Sequence, residues 1–124
     1  MRIIQVSQCK FERAYEWGWD NSENIRNNCT PISEIDWTDK VLYLTSDCRA
    51  GYAVNKYTNE LTNVFSTVKG RGGLLVTSAI AQGANNLDCF DGYLVKFYTS
   101  LGFKSLRTEA NWTKGQPAVV YMAL

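Results

Sequence analysis

The stretch Leu61 to Ala84, LTNVFSTVKGRGGLLVTSAIAQGA, decides the fold because it joins a strand to a helix through a glycine-rich loop. Residues 61–68 alternate β-branched, aromatic and polar side chains, which predicts a strand with apolar groups on both faces. Apolar and small side chains then recur at helical spacing, which predicts a helix over residues 74–84 with Gly83 as its stop signal. The glycine-rich loop 69–73 therefore leads directly into a helix N-terminus.

Strand patterns surround this stretch on both sides. Two strands precede it, over residues 41–45 and 50–56, and their short polar connections indicate an antiparallel meander. Asp91 and Gly102 are the expected N-cap and terminator of a later helix. The order predicts an α/β (α+β) fold in which helices flank a mixed, mainly antiparallel central sheet. The elements expected after the opening stretch are a strand, a helix and two strands, over residues 86–90, 92–101, 103–109 and 118–123.

Residues 1–40 are rich in asparagine, tryptophan and charge, and their apolar positions are sparse. Residues 3–6 predict a short strand, and apolar side chains within 11–15 share one face of a helical turn. Residues 20–31 predict a loop with one helical turn. Three tryptophans are expected to pack onto the core, or alternatively to line a ligand groove: Trp17, Trp19 and Trp37.

Histidine is absent from the 124 residues, and its absence excludes several classes of enzyme. Ser-His-Asp and Cys-His nucleophiles, HExxH zinc sites and histidine phosphorelays all require an imidazole. The 13 basic and 12 acidic residues nearly balance, so the charge does not indicate a protein that binds nucleic acid or anionic membranes over its whole surface. The length predicts one domain over residues 1–124.

Four cysteines lie too far apart to form a CxxC pair, so we expect neither a metal site nor a thioredoxin-type redox site: Cys9, Cys29, Cys48 and Cys89. The N-terminus lacks the long apolar run and the small-residue cleavage site of a signal peptide. No apolar stretch approaches the ~18 to 20 residues of a membrane span. We therefore expect a soluble, cytoplasmic protein with reduced thiols and no membrane partner.

The glycine-rich loop is the first candidate site. N–H groups in the first turn of a helix lack intrahelical acceptors, and the helix dipole adds about half a positive charge, so such a turn suits a diphosphate. Glycine lets the diphosphate approach the backbone, and Lys69 and Arg71 add two mobile cations. The alternative is a solvated turn without a ligand. The loop lacks the GxxxxGK of a P-loop and the complete GxGxxG of a dinucleotide-binding fold.

Residues 87–104, LDCFDGYLVKFYTSLGFK, form the second candidate site. Residues 97–103 read FYxxxGF and place Tyr98 near the end of the expected helix, after a short strand. Together with the glycine-rich loop, this segment resembles the GNAT superfamily of N-acetyltransferases over residues 40–124. The resemblance implies a GNAT-like fold, acetyl-CoA as co-substrate without a metal, and an acceptor side supplied by residues 1–40.

The resemblance also implies a register for the pyrophosphate loop, which in that family reads (Gln/Arg)xxGx(Gly/Ala). Lys69 stands at its first position, Gly72 matches its glycine and Leu74 occupies its last position. In a shifted register, Gly70 and Gly72 form the glycine pair and Thr67 stands first.

Several residues receive implied roles in this way. Tyr98 is implied to hydrogen-bond the coenzyme sulfur, and backbone N–H groups near residues 64–66 are implied to polarise the thioester carbonyl. The residues implied to bind the coenzyme lie in the third strand, the loop and the junction before the last helix: Val64, Phe65, Ser66, Lys69, Gly70, Arg71, Gly72, Gly73, Leu74 and Asp91.

Acetyl transfer to an amine also requires a base, because an amine with a pKa near ~10.4 is almost entirely protonated at neutral pH. Glu60, at the start of the third strand, is the predicted base. Asp88 and Asp91 flank the next junction and stay open as alternatives, since no spacing singles out one carboxylate.

The predicted function is acetyl transfer from acetyl-CoA to an amine of a small molecule, a protein or a nucleobase. The alternative is a catalytically inactive GNAT-fold binding protein, because Leu74 stands at a small-residue position of the loop, no carboxylate is singled out as a base and residues 1–40 are a short acceptor side. The sequence also resembles short bacteriophage GNAT-like proteins. Such a protein would be a phage accessory or host-interaction factor in the host cytoplasm. A third interpretation makes Lys69, Arg71 and the tryptophans a nucleic-acid groove, although the charge balance does not favour such a partner. We expect a monomer or a homodimer.

Overall fold

The computed structural model describes residues 2–124, which form two compact units. The first unit ends at Ala84 and the second spans Asn85–Leu124. One domain over residues 1–124 stays a prediction. The elements of the first unit are β1 (Ile3–Val6), α1 (Gln8–Asn21), α2 (Glu23–Asn28), a 3₁₀ turn (Ile32–Glu34), β2 (Lys40–Thr45), β3 (Ala50–Asn55), β4 (Leu61–Ser66) and α3 (Gly72–Ala81).

The four strands of the first unit form one antiparallel sheet in sequence order, β1-β2-β3-β4. Short turns connect β2 to β3 and β3 to β4, which is the arrangement that allows neighbouring strands to pair without a crossover. The predicted meander is therefore confirmed, and β1 adds a fourth strand at its edge through the pairing of Ile3 with Thr45.

The N-terminal helices are longer than the sequence predicts. α1 has 14 residues and begins at the N-cap Ser7, whose hydroxyl accepts a hydrogen bond from the Lys10 N–H at 3.3 Å. Ser22 ends α1 and caps α2, accepting a hydrogen bond from the Ile25 N–H at 3.4 Å. The prediction of a loop with one helical turn over residues 20–31 is therefore wrong. Ser22 lets a second helix start at once, because its hydroxyl satisfies an N–H group that would otherwise be exposed.

One face of this sheet packs against α1 through an aromatic cluster. Phe11 and Tyr15 are fully buried and stack with 6.0 Å between their ring centroids. Phe65 of β4 meets both rings edge-on, at 5.6 Å and 5.1 Å. Trp19 and Trp37 pack against the same cluster, as expected for core anchors.

Gly51 of β3 lies where this face is most crowded. A Cβ atom at Gly51 would collide with the Tyr43 carbonyl oxygen and would lie 2.7 Å from Leu44 Cδ2 and 3.1 Å from Phe65 Cε1. Only a glycine therefore lets the aromatic cluster approach β3 this closely.

The opposite face of the sheet packs against α3. Tyr43 and Tyr52 stack on neighbouring strands with 4.9 Å between ring centroids. The Tyr52 hydroxyl lies 2.8 Å from the Ser78 hydroxyl of α3, and Leu75 and Ala79 are buried on the same helix. Both faces of the third predicted strand are thus covered, which explains its two-sided apolar pattern.

The second unit contains β5 (Asn86–Phe90), α4 (Tyr93–Ser100), β6 (Lys104–Glu109) and β7 (Val119–Ala123). Its three strands form a second antiparallel sheet in the order β5-β7-β6. The ring of Tyr98 on α4 packs edge-on against Phe103, with 5.9 Å between centroids. The Phe103 N–H donates to the Tyr98 carbonyl at 3.1 Å, which closes the end of the helix.

Two predicted helix starts are wrong by one or two residues. α3 begins at Gly72 instead of residue 74 and ends at Ala81, so the last two loop glycines are helical. The N-cap of α4 is Gly92 and not Asp91, and no side chain caps this helix. Gly92 has φ of 127°, a conformation that aspartate avoids and glycine adopts.

The element order from β2 onward confirms the predicted α/β (α+β) fold. Within residues 2–124 all strand pairs are antiparallel and form two sheets, whereas the sequence predicts one mixed, mainly antiparallel sheet. Helices flank antiparallel strands in both units. Within residues 2–124, no helix combines the length and the apolar character needed to cross a bilayer.

Candidate functional site

A β-bulge interrupts β4 in the middle of the strand. Gly51 pairs with Phe65 and Ala53 pairs with Thr62, so Asn63 and Val64 together lie opposite Tyr52. Asn63 has a left-handed backbone with φ of 54°, which asparagine tolerates better than most residues. A bulge leaves its extra residue out of the ladder, so backbone polar groups at residues 63–64 are turned away from β3.

Side chains from neighbouring elements hold the bulge. Lys40 Nζ donates to Asn63 Oδ1 at 2.7 Å, and the Cys29 thiol donates to the Val64 carbonyl at 3.6 Å. Burial lowers the pKa of Lys40, and the carboxylates of Asp36 and Glu60 oppose that shift. Glu60, the predicted base, therefore lies close enough to Lys40 to act on its charge. Sequence reasoning missed Lys40 and Cys29, and an asparagine inside a strand pattern was the only signal of the bulge.

The loop from β4 to α3 is fixed at both ends. The backbone N–H and the hydroxyl of Thr67 donate to the Arg49 carbonyl at 2.9 Å and 3.0 Å. The Ser66 hydroxyl donates to the Val68 carbonyl at 2.7 Å and accepts from the Val68 N–H at 3.0 Å. Gly70 has φ of 88°, which turns the chain toward the helix.

Gly72 and Gly73 form the first turn of α3, where helix geometry leaves N–H groups without intrahelical acceptors. A Cβ atom built on Gly70 or on Gly73 has no neighbour within 4 Å. Open space therefore lies beside Gly70 and Gly73, and the first N–H groups of α3 lie at the positive end of its helix dipole. The residues present fit a diphosphate group at this position. Leu74 follows with 45% of its surface exposed.

Arg71 is not a mobile cation, contrary to the prediction. Its guanidinium donates two hydrogen bonds to the Asp47 carboxylate, Nη1 to Oδ1 at 2.9 Å and Nη2 to Oδ2 at 2.7 Å. Asp47 also accepts from the Thr45 hydroxyl at 2.7 Å. Hydrogen bonds from Arg71 first, and from Thr45 second, hold the pKa of Asp47 well below its ordinary value. Lys69 is exposed and forms no ion pair within residues 2–124.

Tyr98 and Asp91 belong to the second unit. Tyr98 lies in the last turn of α4 as predicted, and only 8% of its surface is exposed. Its ring packs between Phe97 and Phe103, with centroids at 5.2 Å and 5.9 Å. Asp91 is exposed, and its backbone N–H donates to the Ala118 carbonyl at 2.8 Å. No group of three or more acidic or cysteine side chains in residues 2–124 is arranged to hold a metal ion.

Sequence comparison finds no matching family model and no matching curated protein. Comparison of structures, in contrast, finds N-acetyltransferases that cover nearly the whole chain. The fold is therefore the one seen in these N-acetyltransferases, which confirms the predicted fold.

Three solved structures illustrate the similarity. The ribosomal-protein-S18-alanine N-acetyltransferase from Escherichia coli has a TM-score of 0.68 at 17% identity, over 99% of this chain and 92% of that chain. An acetyltransferase from Bacillus subtilis in complex with CoA has a TM-score of 0.66 at 18% identity, over 99% and 97% of the two chains. The aminoglycoside 6'-N-acetyltransferase from Enterococcus faecium has a TM-score of 0.62 at 12% identity, over 100% and 96%.

Proposed function

We propose that this protein is an N-acetyltransferase that transfers an acetyl group from acetyl-CoA to an amine. The observation that carries the proposal is the first turn of α3 at Gly72 and Gly73, with open space beside Gly70 and Gly73, which a short glycine-rich loop joins to the bulged strand β4 in a chain with the N-acetyltransferase fold. Acetyl-CoA supplies the thioester, which is reactive toward amines without an imidazole on the protein. The protein must then bind the coenzyme, polarise the thioester carbonyl, and accept and donate the protons of the reaction.

The first turn of α3 binds the diphosphate in this proposal. N–H groups of Gly72, Gly73 and Leu74 are available as donors because a helix leaves its first N–H groups without acceptors. The exposed Lys69 adds a cation from the loop. Arg71 acts differently, since its bonds to Asp47 fix the start of the helix. Arg71 therefore holds the loop in this proposal.

Strand β4 polarises the thioester carbonyl through a backbone N–H group near residues 64–66, the range Val64 to Ser66. Fixed N–H donors beside a reacting carbonyl stabilise the charge that develops on its oxygen. The bulge at Asn63 supports this assignment, because a bulge re-aims backbone groups away from the neighbouring strand. The buried Thr62 hydroxyl next to the bulge has no hydrogen-bond partner within residues 2–124.

Tyr98 donates a hydrogen bond to the departing sulfur. An ordinary thiol, with a pKa of about 8.5, is a stronger acid than an ordinary tyrosine, with a pKa of about 10, so complete proton transfer from a tyrosine to a thiolate is uphill. Tyr98 therefore acts as a hydrogen-bond donor, and protonation of the sulfur follows late or through water. Asp91 is assigned a contact to the coenzyme by resemblance.

Glu60 accepts the proton of the acceptor amine. It is half-buried at the entrance to β4, and its carboxylate raises the pKa of Lys40 against the effect of burial. A carboxylate that lies near the bulged strand is suited to receive a proton from an amine attacking there. The acceptor itself is an amine on a small molecule or a protein, and the reaction takes place in the cytoplasm.

The proposal is tested by titration calorimetry with acetyl-CoA on the native protein and on Gly72→Glu. We expect binding by the native protein and at least tenfold weaker binding by Gly72→Glu, because a carboxylate on the first turn of α3 repels a diphosphate. Thr77→Glu is the matched control, since it adds the same charge on an exposed face of the same helix. The proposal fails if the native protein binds no acetyl-CoA at millimolar concentration while circular dichroism shows it folded.

An inactive GNAT-fold binding protein, such as a phage accessory factor, is the second candidate. Leu74 favours it, because an exposed leucine replaces the small residue expected at the end of the pyrophosphate loop. Under this alternative, Tyr98→Phe and Gly72→Glu leave the biological activity of the protein unchanged. Loss of activity in both variants contradicts it.

A further inference from the structure

A cleft of about 470 Å³ lies in the first unit, between α1 and the turn that joins β2 to β3. We call it the α1 cleft. None of the residues assigned above to the coenzyme lines it. Its volume falls within the range of about 300 to 1,000 Å³ that small-molecule sites occupy. The lining residues are Lys10, Arg13, Ala14, Trp17, Asp47, Cys48 and Arg49.

The α1 side of the cleft is a continuous helical face. Lys10, Arg13, Ala14 and Trp17 recur at the i, i+3, i+4 and i+7 spacing that places side chains on one side of a helix. Trp17 keeps 45% of its surface exposed, unlike the tryptophans that pack on the core. The exposed indole of Trp17 and the methyl group of Ala14 therefore make part of this face apolar, and Lys10 and Arg13 add two positive charges to it.

The turn supplies the opposite wall. Cys48 has a left-handed backbone with φ of 61°, and it directly precedes Arg49. The Arg49 guanidinium lies over the Trp17 ring at 5.5 Å from its centroid. The Arg49 carbonyl accepts two hydrogen bonds from Thr67, which fixes the backbone of this wall.

The charge of the α1 cleft is not neutralised by its own residues. Lys10, Arg13 and Arg49 line it, and within residues 2–124 none of the three forms a salt bridge. Asp47 is the sole carboxylate in the lining, and both of its oxygens bond the Arg71 guanidinium. Three like charges around one cleft repel each other and favour a bound anion, most strongly a dianion.

We propose that the α1 cleft binds a small organic phosphate, whose dianionic group lies among Lys10, Arg13 and Arg49 and whose flat apolar body packs against Trp17. Guanidinium groups present several N–H donors in a plane and match phosphate oxygens in pairs. The indole provides a flat surface for a ring at the same site. This site does not depend on acetyl-CoA binding, and the two share only the Asp47 to Arg71 contact.

The test uses phenyl phosphate as the probe, with inorganic phosphate and phenol as its two halves. Calorimetry on the full chain is expected to show phenyl phosphate binding at least tenfold tighter than either half. In Lys10→Gln/Arg13→Gln the affinity falls at least tenfold. The matched control Lys56→Gln/Lys114→Gln removes the same charge from exposed positions outside the cleft and changes affinity less than twofold.

Two further measurements keep the result specific to this cleft. Gly72→Glu keeps its affinity for phenyl phosphate, which separates this site from the α3 N-terminus and from the proposed function. On the native protein, amide chemical shifts move at residues 10–17 and 47–49 during the titration. Equal losses in the cleft variant and its control, or no preference for phenyl phosphate over inorganic phosphate, overturn the proposal.

Discussion

Arg71 and Asp47 join the start of α3 to the turn between β2 and β3 by two parallel hydrogen bonds of 2.9 Å and 2.7 Å. The Arg71 side chain is 16% exposed and the Asp47 side chain is 34% exposed, so water reaches both side chains. Parallel N–H donors fix the orientation of the pair as well as its distance. The pair therefore holds the end of the loop before α3 against the turn between β2 and β3.

Asp47→Asn is expected to lower the thermal midpoint by about 2 to 5 °C at pH 7. Because Arg71 depresses the pKa of Asp47, the pair stabilises the fold above the ordinary carboxyl pKa of about 3.9. This stability is lost as the pH falls through the lower pKa of the folded state. The difference in thermal midpoint between the native protein and the variant should therefore become smaller below about pH 4, which thermal unfolding at several pH values measures. Glu109→Gln, in an exposed ion pair with Arg107, is the control with little effect.

Tyr98→Phe is expected to reduce kcat by ~10² to 10⁴ while the Kd for acetyl-CoA changes less than threefold. The variant keeps the ring that packs against Phe103 and removes only the hydroxyl. Steady-state acetyl transfer and calorimetry together separate the two quantities. Tyr93→Phe removes a hydroxyl from an exposed position on the same helix and should leave both unchanged. Equal kcat values for the two variants would remove Tyr98 from the mechanism.

Gly51→Ala and Gly73→Ala should shift the free energy of unfolding in opposite directions. At Gly51 the added methyl meets the Tyr43 carbonyl, Leu44 and Phe65, and overpacking of this kind costs about 1 to 3 kcal/mol. At Gly73 it meets nothing within 4 Å, and alanine in a helix gains up to ~1 kcal/mol over glycine. Urea denaturation of both variants checks the pair. A stabilising Gly51→Ala would contradict the packing of the aromatic cluster.

Cys29 and Cys89 should react with iodoacetamide at least tenfold more slowly than the exposed Cys9 at pH 8. Burial raises the pKa of both thiols to about 11, so only ~0.1% of each is thiolate at that pH. Their reaction rates should keep rising until the pH approaches 11. Brief alkylation followed by peptide mass spectrometry measures each site. In urea, where burial is lost, the cysteines should react at similar rates, and a fast Cys29 in the folded protein would be inconsistent with its contact to Val64.

Strand positions were predictable from residues 40–124 because each apolar run ends at short polar turns. Helix starts were less predictable. The sequence predicts Gly72 and Gly73 to be loop residues because glycine disfavours helices. The first turn of a helix makes few intrahelical hydrogen bonds and therefore tolerates both glycines. Asp91 is predicted as the N-cap of α4 because aspartate favours that position. The N-cap is instead Gly92, whose backbone has φ of 127°.

The glycine-rich loop and the helix after it could be predicted because neighbouring residues in the sequence determine both. The bulge and its supports were not, since Lys40 reaches Asn63, and Cys29 reaches Val64, only in the folded chain. Asp47 was missed for the same reason, because it lies 24 positions from Arg71 in the chain. An ion pair between residues so far apart leaves no periodic pattern in the sequence.

The crowded site at Gly51 and the left-handed backbone at Asn63 also limit how this chain can diverge. Position 51 has no room for a side chain, and position 63 admits asparagine, aspartate or glycine far more readily than a β-branched residue. We therefore expect homologues with this backbone to vary less at these two positions than at most surface positions. A glycine followed twelve residues later by Asn, Asp or Gly, and then by a glycine-rich turn, is thus a practical signature for finding homologues that overall identity misses.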